Sequence, residues 1–469
     1  MEKKNIAKSV YCLVLAFPGQ GHINPMLQFS KLLQHEGIKV TLATTVFYCK
    51  NMLRLPPSIA LGTFSDGFDN GGGLGKAKSL KHYLDTSRQV GSQTLKDLII
   101  KKLGRSGNPV DYLIYDSFLP WVMDVAKRSG IPGAVFITHT LAVSSLYYHV
   151  NLGNIKVPIT HEVSLPALPP LQPEDLPSPF FNYEEDFVAL HSLAAHFSDI
   201  HKADRVLCNS LYELEKEIVD WTMKIWPKFR TIGPSIPSMF LDKRLENDED
   251  YGAAQFTSEE CMKWLEDKPK GSVVYVSFGT MVAVNEEQIE EVAYGLKDSG
   301  SYFLWVVRAS EQAKLPKDFE LKSEKGLVVA WCSQLKVLAH EAISCFVTHC
   351  GWNSTLESLS LGIPMIAVPQ WAEQFTNAKF IADVWKVGIR AIRAAVDEKK
   401  IVTREVLKHC IWKIMESDKG IEVKRNAMQW KTLAVEAFGE GGSSHTNITE
   451  FLDGLFHLQT KCTESHIAY

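Results

Sequence analysis

The sequence of 469 residues lacks several features that mark whole classes of protein. It has nine cysteines, an odd number, and none of them forms a CxxC pair. No apolar run reaches the roughly 18 residues that a membrane-spanning helix needs. Its 50 Lys and Arg against 54 Asp and Glu form no basic block of the kind that binds nucleic acid. These absences argue against a disulfide framework, a membrane span and a nucleic-acid partner, and they predict a cytoplasmic protein.

Two local patterns resemble a metal site and a signal peptide, but both are incomplete. Cys345, His349 and Cys350 lie close together, yet no second Cys/His pair accompanies them, so we expect no metal. The apolar run Val10–Phe17 follows three lysines, as in a signal peptide, but it is short and has no small-residue cleavage site. We therefore interpret it as the first strand.

Short apolar segments alternate with helical segments along both halves of the chain. Strands are predicted at 10–17, 38–45, 110–116, 134–139 and 204–210, and then at 272–280, 302–308, 327–332, 343–349 and 364–369. The first helix is predicted at 25–36. The alternation indicates an α/β protein with parallel sheets, and the length favours two domains. Ligands of such sheets bind at the carboxyl ends of the strands.

One stretch, residues 331–374, has the order strand, tight turn, helix, strand. Ile343–His349 is apolar and rich in β-branched residues, as buried parallel strands are. In the turn that follows, we expect Gly351 to adopt a backbone conformation that other residues resist. We expect Asn353 and Ser354 to cap the helix. A helix N-terminus at the end of a parallel strand attracts anions, which predicts a phosphate site here.

A second glycine turn follows the first strand, with the sequence PGQGHINP. A GxGxxG dinucleotide motif would have glycine where this chain has Asn24, which disfavours a nicotinamide oxidoreductase. From the residues alone, His22 is as well explained by capping the helix as by catalysis. Asp116, at the end of the strand VDYLIYD, fits either a helix N-cap or a partner for a histidine.

The stretch 331–374 resembles the signature box of the plant family-1 UDP-glycosyltransferases. It has the 44 residues of that box, the landmark HCGWNSTLE, and the final sequence Trp, Ala, acid, Gln. The resemblance implies a GT-B fold, with two Rossmann-like doubly wound domains that face each other across a cleft. A polar, acidic stretch predicts the interdomain linker at 241–254. With it, the resemblance implies an acceptor-binding domain at 1–240, a UDP-sugar-binding domain at 255–440, and a C-terminal helix at 441–469 that crosses back to the first domain.

The resemblance also implies a donor site and a catalytic pair. In this chain the implied contacts are Trp331 with uracil; Gln334 and Glu357 with ribose; His349, Asn353, Ser354 and Thr280 with the diphosphate; and Trp352, Glu373, Gln374 and Thr138 with the sugar. Many family members have Asp where this chain has Glu373, which is longer by one methylene. His22 is implied as the general base and Asp116 as its partner, and histidine suits this role because its ordinary pKa lies near neutral pH.

We therefore expect an inverting transferase of plant specialised metabolism that makes glucosides from UDP-glucose as co-substrate, without a cofactor or metal. The expected acceptor is a hydroxyl or carboxyl of a lipophilic phenolic, terpenoid or steroid. The aromatic candidates for its pocket, each equally explained as core, are Phe17, Phe118, Trp121, Tyr147, Phe180 and Phe181. We expect a monomer. The alternative is a protein that binds a UDP-sugar or an aglycone without turnover.

Overall fold

In the computed structural model the chain forms two parallel β-sheets with helices between successive strands. The structure describes residues 10–51, 59–71, 73–103, 109–180, 200–249, 259–280, 283–391 and 401–467, together with residues 188, 190, 191, 194, 195, 197 and 251. The predicted class, α/β with two doubly wound sheets, is confirmed.

The first sheet is made of short strands that are largely buried, which explains their apolar sequences. They are β1 Tyr11–Leu15, β2 Lys39–Thr45, β3 Ala60–Phe64, β4 Tyr112–Asp116, β5 Gly133–Ile137, β6 Arg205–Cys208 and β7 Phe229–Thr231. Their order is β3-β2-β1-β4-β5-β6-β7 and all pairs are parallel. The order reverses between β1 and β4, and ligands bind at such a reversal.

The second sheet repeats this arrangement in the other half of the chain. Its strands are β8 Val273–Ser277, β9 Tyr302–Val306, β10 Gly326–Val329, β11 Ile343–Thr348, β12 Met365–Ala367 and β13 Gly388–Arg390. The order is β10-β9-β8-β11-β12-β13, again all parallel. The reversal lies between β8 and β11, so the turn of the signature box is at the switch point of this sheet.

The α-helices cover the two sheets. They are α1 Gln20–His35, α2 Val46–Asn51, α3 Leu80–Asp97, α4 Trp121–Arg128, α5 Leu141–Asn151, α6 Lys216–Ile225, α7 Glu259–Glu266, α8 Glu286–Ser299, α9 Gln334–Leu338, α10 Trp352–Leu361, α11 Gln374–Lys379, α12 Arg404–Glu416, α13 Asp418–Phe438 and α14 Ser443–Ile467. Among the described residues, no helix combines the length and apolarity that crossing a membrane requires.

The two halves share a continuous apolar core. One cluster joins the residues under the first sheet to Trp352 and Leu356 of α10 in the second half. The last helix, α14, packs on β7: Asn447 Nδ2 donates to the carbonyl of Thr231 at 2.8 Å. Within the predicted linker, residues 250 and 252–254 lie outside the described residues, whereas Asp248 is buried and accepts a hydrogen bond from Gln28 of α1 at 2.6 Å.

Candidate active site

The carboxyl edge of the first sheet carries a histidine in contact with a buried carboxylate. Asp116 is the last residue of β4, and His22 lies in the first turn of α1, directly after β1. His22 Nδ1 is 2.8 Å from Asp116 Oδ2 and 3.0 Å from Oγ1 of Thr138, which follows β5. The Asp116 side chain is fully buried, and the His22 side chain is 15% exposed. The structure thus brings together three predicted site residues from three segments of the chain.

The contacts of Asp116 orient the His22 ring. Its second oxygen, Oδ1, accepts the N–H of Phe118 at 2.8 Å, so the carboxylate is held at both oxygens. A carboxylate only accepts hydrogen bonds, so a neutral His22 donates from Nδ1 and keeps its lone pair on Nε2. Nε2 is therefore the nitrogen that can take a proton from a substrate.

Aromatic rings surround His22. The ring centroids of Phe17 and Phe118 lie 5.0 and 4.8 Å from that of His22, and both side chains are partly exposed. The other described candidates for the acceptor pocket, Trp121, Tyr147 and Phe180, are buried in the core. Phe181 lies outside the described residues. The surface next to His22 and Asp116 is therefore apolar.

The turn of the signature box differs from its predicted form. Gly351 has φ −59° and ψ 146°, which any residue adopts, whereas Cys350 takes the left-handed conformation with φ 67°. The helix begins at Trp352 with Gly351 as its N-cap, so Asn353 and Ser354 are in its first turn and do not cap it. Both predictions were wrong. Gly351 itself occupies the N-cap position, and glycine is needed there for space, because a Cβ on residue 351 would lie 2.5 Å from Nε2 of His349.

His349 packs between two glycines at the switch point of the second sheet. A Cβ on Gly279, in the loop after β8, would lie 2.6 Å from the same Nε2. Burial lowers the pKa of His349 to about 4, against a smaller opposing effect of the Ser277 backbone. The imidazole is therefore neutral at pH 7, next to the first-turn N–H groups of α10. A neutral donor and a helix N-terminus can bind a diphosphate without any fixed positive charge.

Asn353 joins the two halves of the site. Its Nδ2 donates to the carbonyl oxygen of Gly21, in the first turn of α1, at 2.9 Å. That carbonyl is available because its intrahelical partner would be the N–H of residue 25, which is a proline and has none. Pro25 thus leaves Gly21 free to receive a contact from the second half of the chain. This contact places the N-termini of α1 and α10 side by side.

A buried carboxylate lies at the other side of α10. Glu357 is 4% exposed, and its two oxygens accept hydrogen bonds from Gln334 Nε2 at 2.7 Å and Tyr251 OH at 3.0 Å. Gln334 Nε2 also donates to Ser354 Oγ at 2.8 Å. Burial raises the pKa of Glu357 to about 7, and these hydrogen bonds lower it by less. Tyr251 was missed because it lies in the predicted linker, where its sequence carries no sign of a site.

Two of the residues predicted to contact the sugar, Glu373 and Gln374, lie where a short loop, residues 370–373, meets α11. Gln374 Oε1 accepts the N–H groups of Gln370 at 2.8 Å and Trp371 at 3.0 Å, which leaves its amide NH₂ as a donor. Glu373 is half-buried, and burial raises its pKa while His22 acts in the opposite direction. The carboxyl group of Glu373 in the second half therefore interacts electrostatically with His22 in the first.

Trp352, Trp331 and Thr280 were also predicted to contact the donor, and they differ in burial and in the protein groups that they bind. Trp352 is buried, and its indole Nε1 donates to the carbonyl of Asn209 in the first half at 2.7 Å, so its backbone N–H is the group left for a ligand. Trp331 is partly exposed, just after β10. Thr280 is exposed in the loop that passes His349, and its carbonyl accepts a hydrogen bond from Arg308 at 2.6 Å.

Comparisons with known proteins give one consistent result. Residues 250–434 match the family model described as UDP-glucoronosyl and UDP-glucosyl transferase. The chain is 46% identical over 450 residues to mogroside I-E synthase of Siraitia grosvenorii, covering 94% of this chain and 97% of that protein. It is 42% identical over 451 residues to flavonol 7-O-beta-glucosyltransferase UGT74F1 of Arabidopsis thaliana, covering 94% and 97%. The crystal structure of Os79 from O. sativa in complex with UDP has a TM-score of 0.88 and 36% identity, covering 95% of this chain and 100% of that one.

Proposed function

Because this chain belongs to family 1 of the plant UDP-glycosyltransferases, we propose that it transfers glucose from UDP-glucose to a hydroxyl or carboxyl group of a lipophilic small molecule, with inversion at the anomeric carbon. It is a glycosyltransferase with the GT-B fold, and it acts on small molecules. UDP-glucose is a co-substrate in this reaction, and the protein works as a cytoplasmic enzyme.

The observation that carries the mechanism is the 2.8 Å contact between His22 and Asp116. The acceptor hydroxyl gives its proton to His22 Nε2, and its oxygen attacks the anomeric carbon. The bond from that carbon to UDP breaks, and UDP leaves with the electron pair. Asp116 keeps Nε2 directed at the acceptor and stabilises the imidazolium that forms.

The donor is held by groups of the second half. We assign uracil to Trp331, ribose to Gln334 and Glu357, and the diphosphate to the N-terminus of α10 with His349. Neutral N–H donors and the helix dipole supply this diphosphate site, so no metal is needed to hold it. We assign the sugar to Glu373 and Gln374, since the Glu373 carboxyl group interacts electrostatically with His22.

Two observations support a lipophilic acceptor. The rings of Phe17 and Phe118 flank His22, and both remain partly exposed. Similar proteins are named mogroside I-E synthase and flavonol 7-O-beta-glucosyltransferase, so their names refer to small-molecule products or acceptors. We propose that the acceptor of this chain is a lipophilic small molecule that packs against these two rings.

The test is turnover with UDP-glucose and a panel of phenolic, terpenoid, steroid and carboxylic acid acceptors, read by mass spectrometry. We expect glucosides from the unchanged protein, and with UDP-galactose much less product.

His22→Ala should abolish most transfer to alcohols while UDP-glucose still binds. Asp116→Asn should slow transfer as well, and the double variant should be scarcely slower than His22→Ala, since the two groups act as a unit.

Acceptors that are already ionised at neutral pH should lose less in His22→Ala, because they have no proton to give. Equal losses for ionised and alcohol acceptors would show that His22 positions the substrate and that the base lies elsewhere. Binding of UDP-glucose with no product from any acceptor would favour the alternative, a binding protein without turnover.

A further inference from the structure

A segment of the first half lies on the second half beside residues 370–373, the loop before α11 that is here called the sugar loop. This segment, residues 173–180, is called the strap; it contains two 3₁₀ turns, Pro173–Asp175 and Ser178–Phe180. Asp175 and Ser178 are each 2% exposed although the strap has no regular secondary structure beyond these turns. Such burial of polar side chains requires specific partners.

Asp175 fixes one end of the strap. Its carboxylate forms ion pairs with the guanidinium of Arg390 in β13 and with Nζ of Lys379 in α11, the latter at 3.6 Å. Its carbonyl oxygen accepts Oγ1 of Thr376 at 2.7 Å, and Arg390 also donates to the carbonyl of Glu174 at 2.7 Å. The strap is thereby attached to the two elements that follow the sugar loop.

Ser178 holds the sugar loop itself. Its N–H donates to the carbonyl of Ala372 at 3.1 Å, and its Oγ accepts the N–H of Ala372 at 2.9 Å. Ala372 has φ 54°, a left-handed conformation that costs free energy for a residue with a Cβ. A strained residue persists where its surroundings determine it, and here both of its backbone polar groups are bound by one serine.

The strained residue comes directly before Glu373 and Gln374. Gln374 binds the sugar loop through the N–H groups of Gln370 and Trp371, and Ser178 of the strap binds it through the N–H of Ala372. We propose that Ser178, supported by Asp175, is a positioning residue for the donor sugar: it keeps Ala372 left-handed and so directs Glu373 and Gln374 towards the hexose. This inference rests on the proposed function, in which those two residues contact the sugar.

Uridine and hexose should respond differently to loss of this contact. The residues assigned to uridine, Trp331, Gln334 and Glu357, lie after β10, on α9 and on α10. Gln334 and Glu357 form hydrogen bonds with each other and with side chains that lie outside the strap. Ser178→Ala should therefore weaken binding of UDP-glucose and leave binding of UDP nearly unchanged, because UDP has no sugar to contact the loop. It should also reduce the preference for UDP-glucose over UDP-galactose.

The experiment measures affinities for UDP and UDP-glucose by calorimetry, and kcat/KM for both UDP-hexoses. Loss of one buried hydrogen bond should weaken UDP-glucose binding about 3- to 10-fold. Ser443→Ala is the matched control, since Ser443 Oγ donates to Glu213 across another contact between the halves, at 3.0 Å. That variant should bind both ligands as the unchanged protein does.

A rescue variant separates positioning from folding. In Ser178→Ala/Ala372→Gly, glycine adopts the left-handed conformation without a steric cost, so part of the UDP-glucose affinity should return. Equal affinity changes for UDP and UDP-glucose, or none for either, would overturn the inference. It falls as well if Glu373→Gln and Gln374→Ala leave UDP-glucose binding unaltered. Failure of the proposed function is distinct, since the unchanged protein would then bind UDP-glucose and release no glucoside.

Discussion

Among single residues, Glu357 has an unusual setting, because a buried carboxylate lies where an anionic ligand is expected. Taking it out of water raises its pKa to about 7. Hydrogen bonds from Gln334 and Tyr251 stabilise its charged form, but by less than burial costs. Ribose hydroxyl groups can add further donors, and hydrogen bonds to a charged acceptor are stronger than those to a neutral one. Donor binding should therefore favour the ionised form of Glu357.

This predicts that UDP-glucose binds more tightly as the pH rises from 6 to 8. With a pKa of about 7, the ionised fraction of Glu357 rises from about 10% to about 90% over this range, so affinity should rise by up to about tenfold. UDP-glucose has no terminal phosphate that titrates in the same range, whereas UDP has one. Calorimetry at several pH values would measure the change.

Glu357→Gln is the matched variant, since it keeps the shape and one acceptor oxygen but has no proton to lose. Its affinity for UDP-glucose should be lower at pH 8 and independent of pH. An affinity that instead falls as pH rises would show that repulsion between Glu357 and the diphosphate outweighs its bonds to ribose.

Among the elements, β11, the turn that follows it and α10 show how packing sets the charge and the position of a ligand-binding side chain. His349 is neutral because its partial burial lowers its pKa to about 4, and it stays in place because Gly279 and Gly351 leave room on two sides. The left-handed Cys350 is stabilised locally, since its N–H donates to Thr348 Oγ1 at 3.1 Å. Gly351, the next residue, leaves space for the ring of His349, whereas its own backbone angles do not require glycine.

Gly351→Ala should therefore weaken UDP binding by displacing His349, although alanine tolerates the backbone angles of residue 351. The added Cβ would lie 2.5 Å from Nε2, so the ring must move. Loss of a hydrogen bond to a charged group corresponds to about 10- to 100-fold in affinity. Titration with UDP would measure it, and Gly454→Ala, whose Cβ would have nothing within 4 Å, is the control. In a His349→Ala background, Gly351→Ala should cost nothing further; a further loss would mean that the turn itself is distorted.

The same unit shows what a sequence can predict about elements. The strand, the turn and the helix were found, because apolar runs and glycine are local signals. The unusual backbone conformation was predicted one residue too late, since Cys350 and not Gly351 is left-handed. The need for glycine at 351 comes from the ring of His349, a contact that spacing does not reveal. Helix α1 begins at Gln20, five residues before its predicted start at Pro25, because an extended Gly19 can begin a helix without a side-chain cap. Helix α13, Asp418–Phe438, was not predicted, since its apolar pattern is weak.

For the molecule as a whole, several hydrogen bonds between the halves end on backbone atoms. Trp352 and Trp385 of the second half donate their indole N–H groups to the carbonyls of Asn209 and Leu214 in the first. No pattern in the sequence predicts such pairs, because any residue could supply the carbonyl. The two domains were predictable from the alternation of strands and helices, whereas their mutual orientation depends on these tertiary contacts.

An interface of this kind should make the two domains unfold together. Trp385 is 3% exposed, and Trp385→Phe leaves the carbonyl of Leu214 without this 3.0 Å partner and opens a small cavity. We expect the free energy of unfolding to fall by about 2–4 kcal/mol. Urea unfolding would measure this, with Trp412→Phe, at a site 49% exposed, as the control. Hydrogen exchange should become faster in both sheets, because a shared core couples them. Faster exchange confined to the second sheet would show instead that the domains unfold independently.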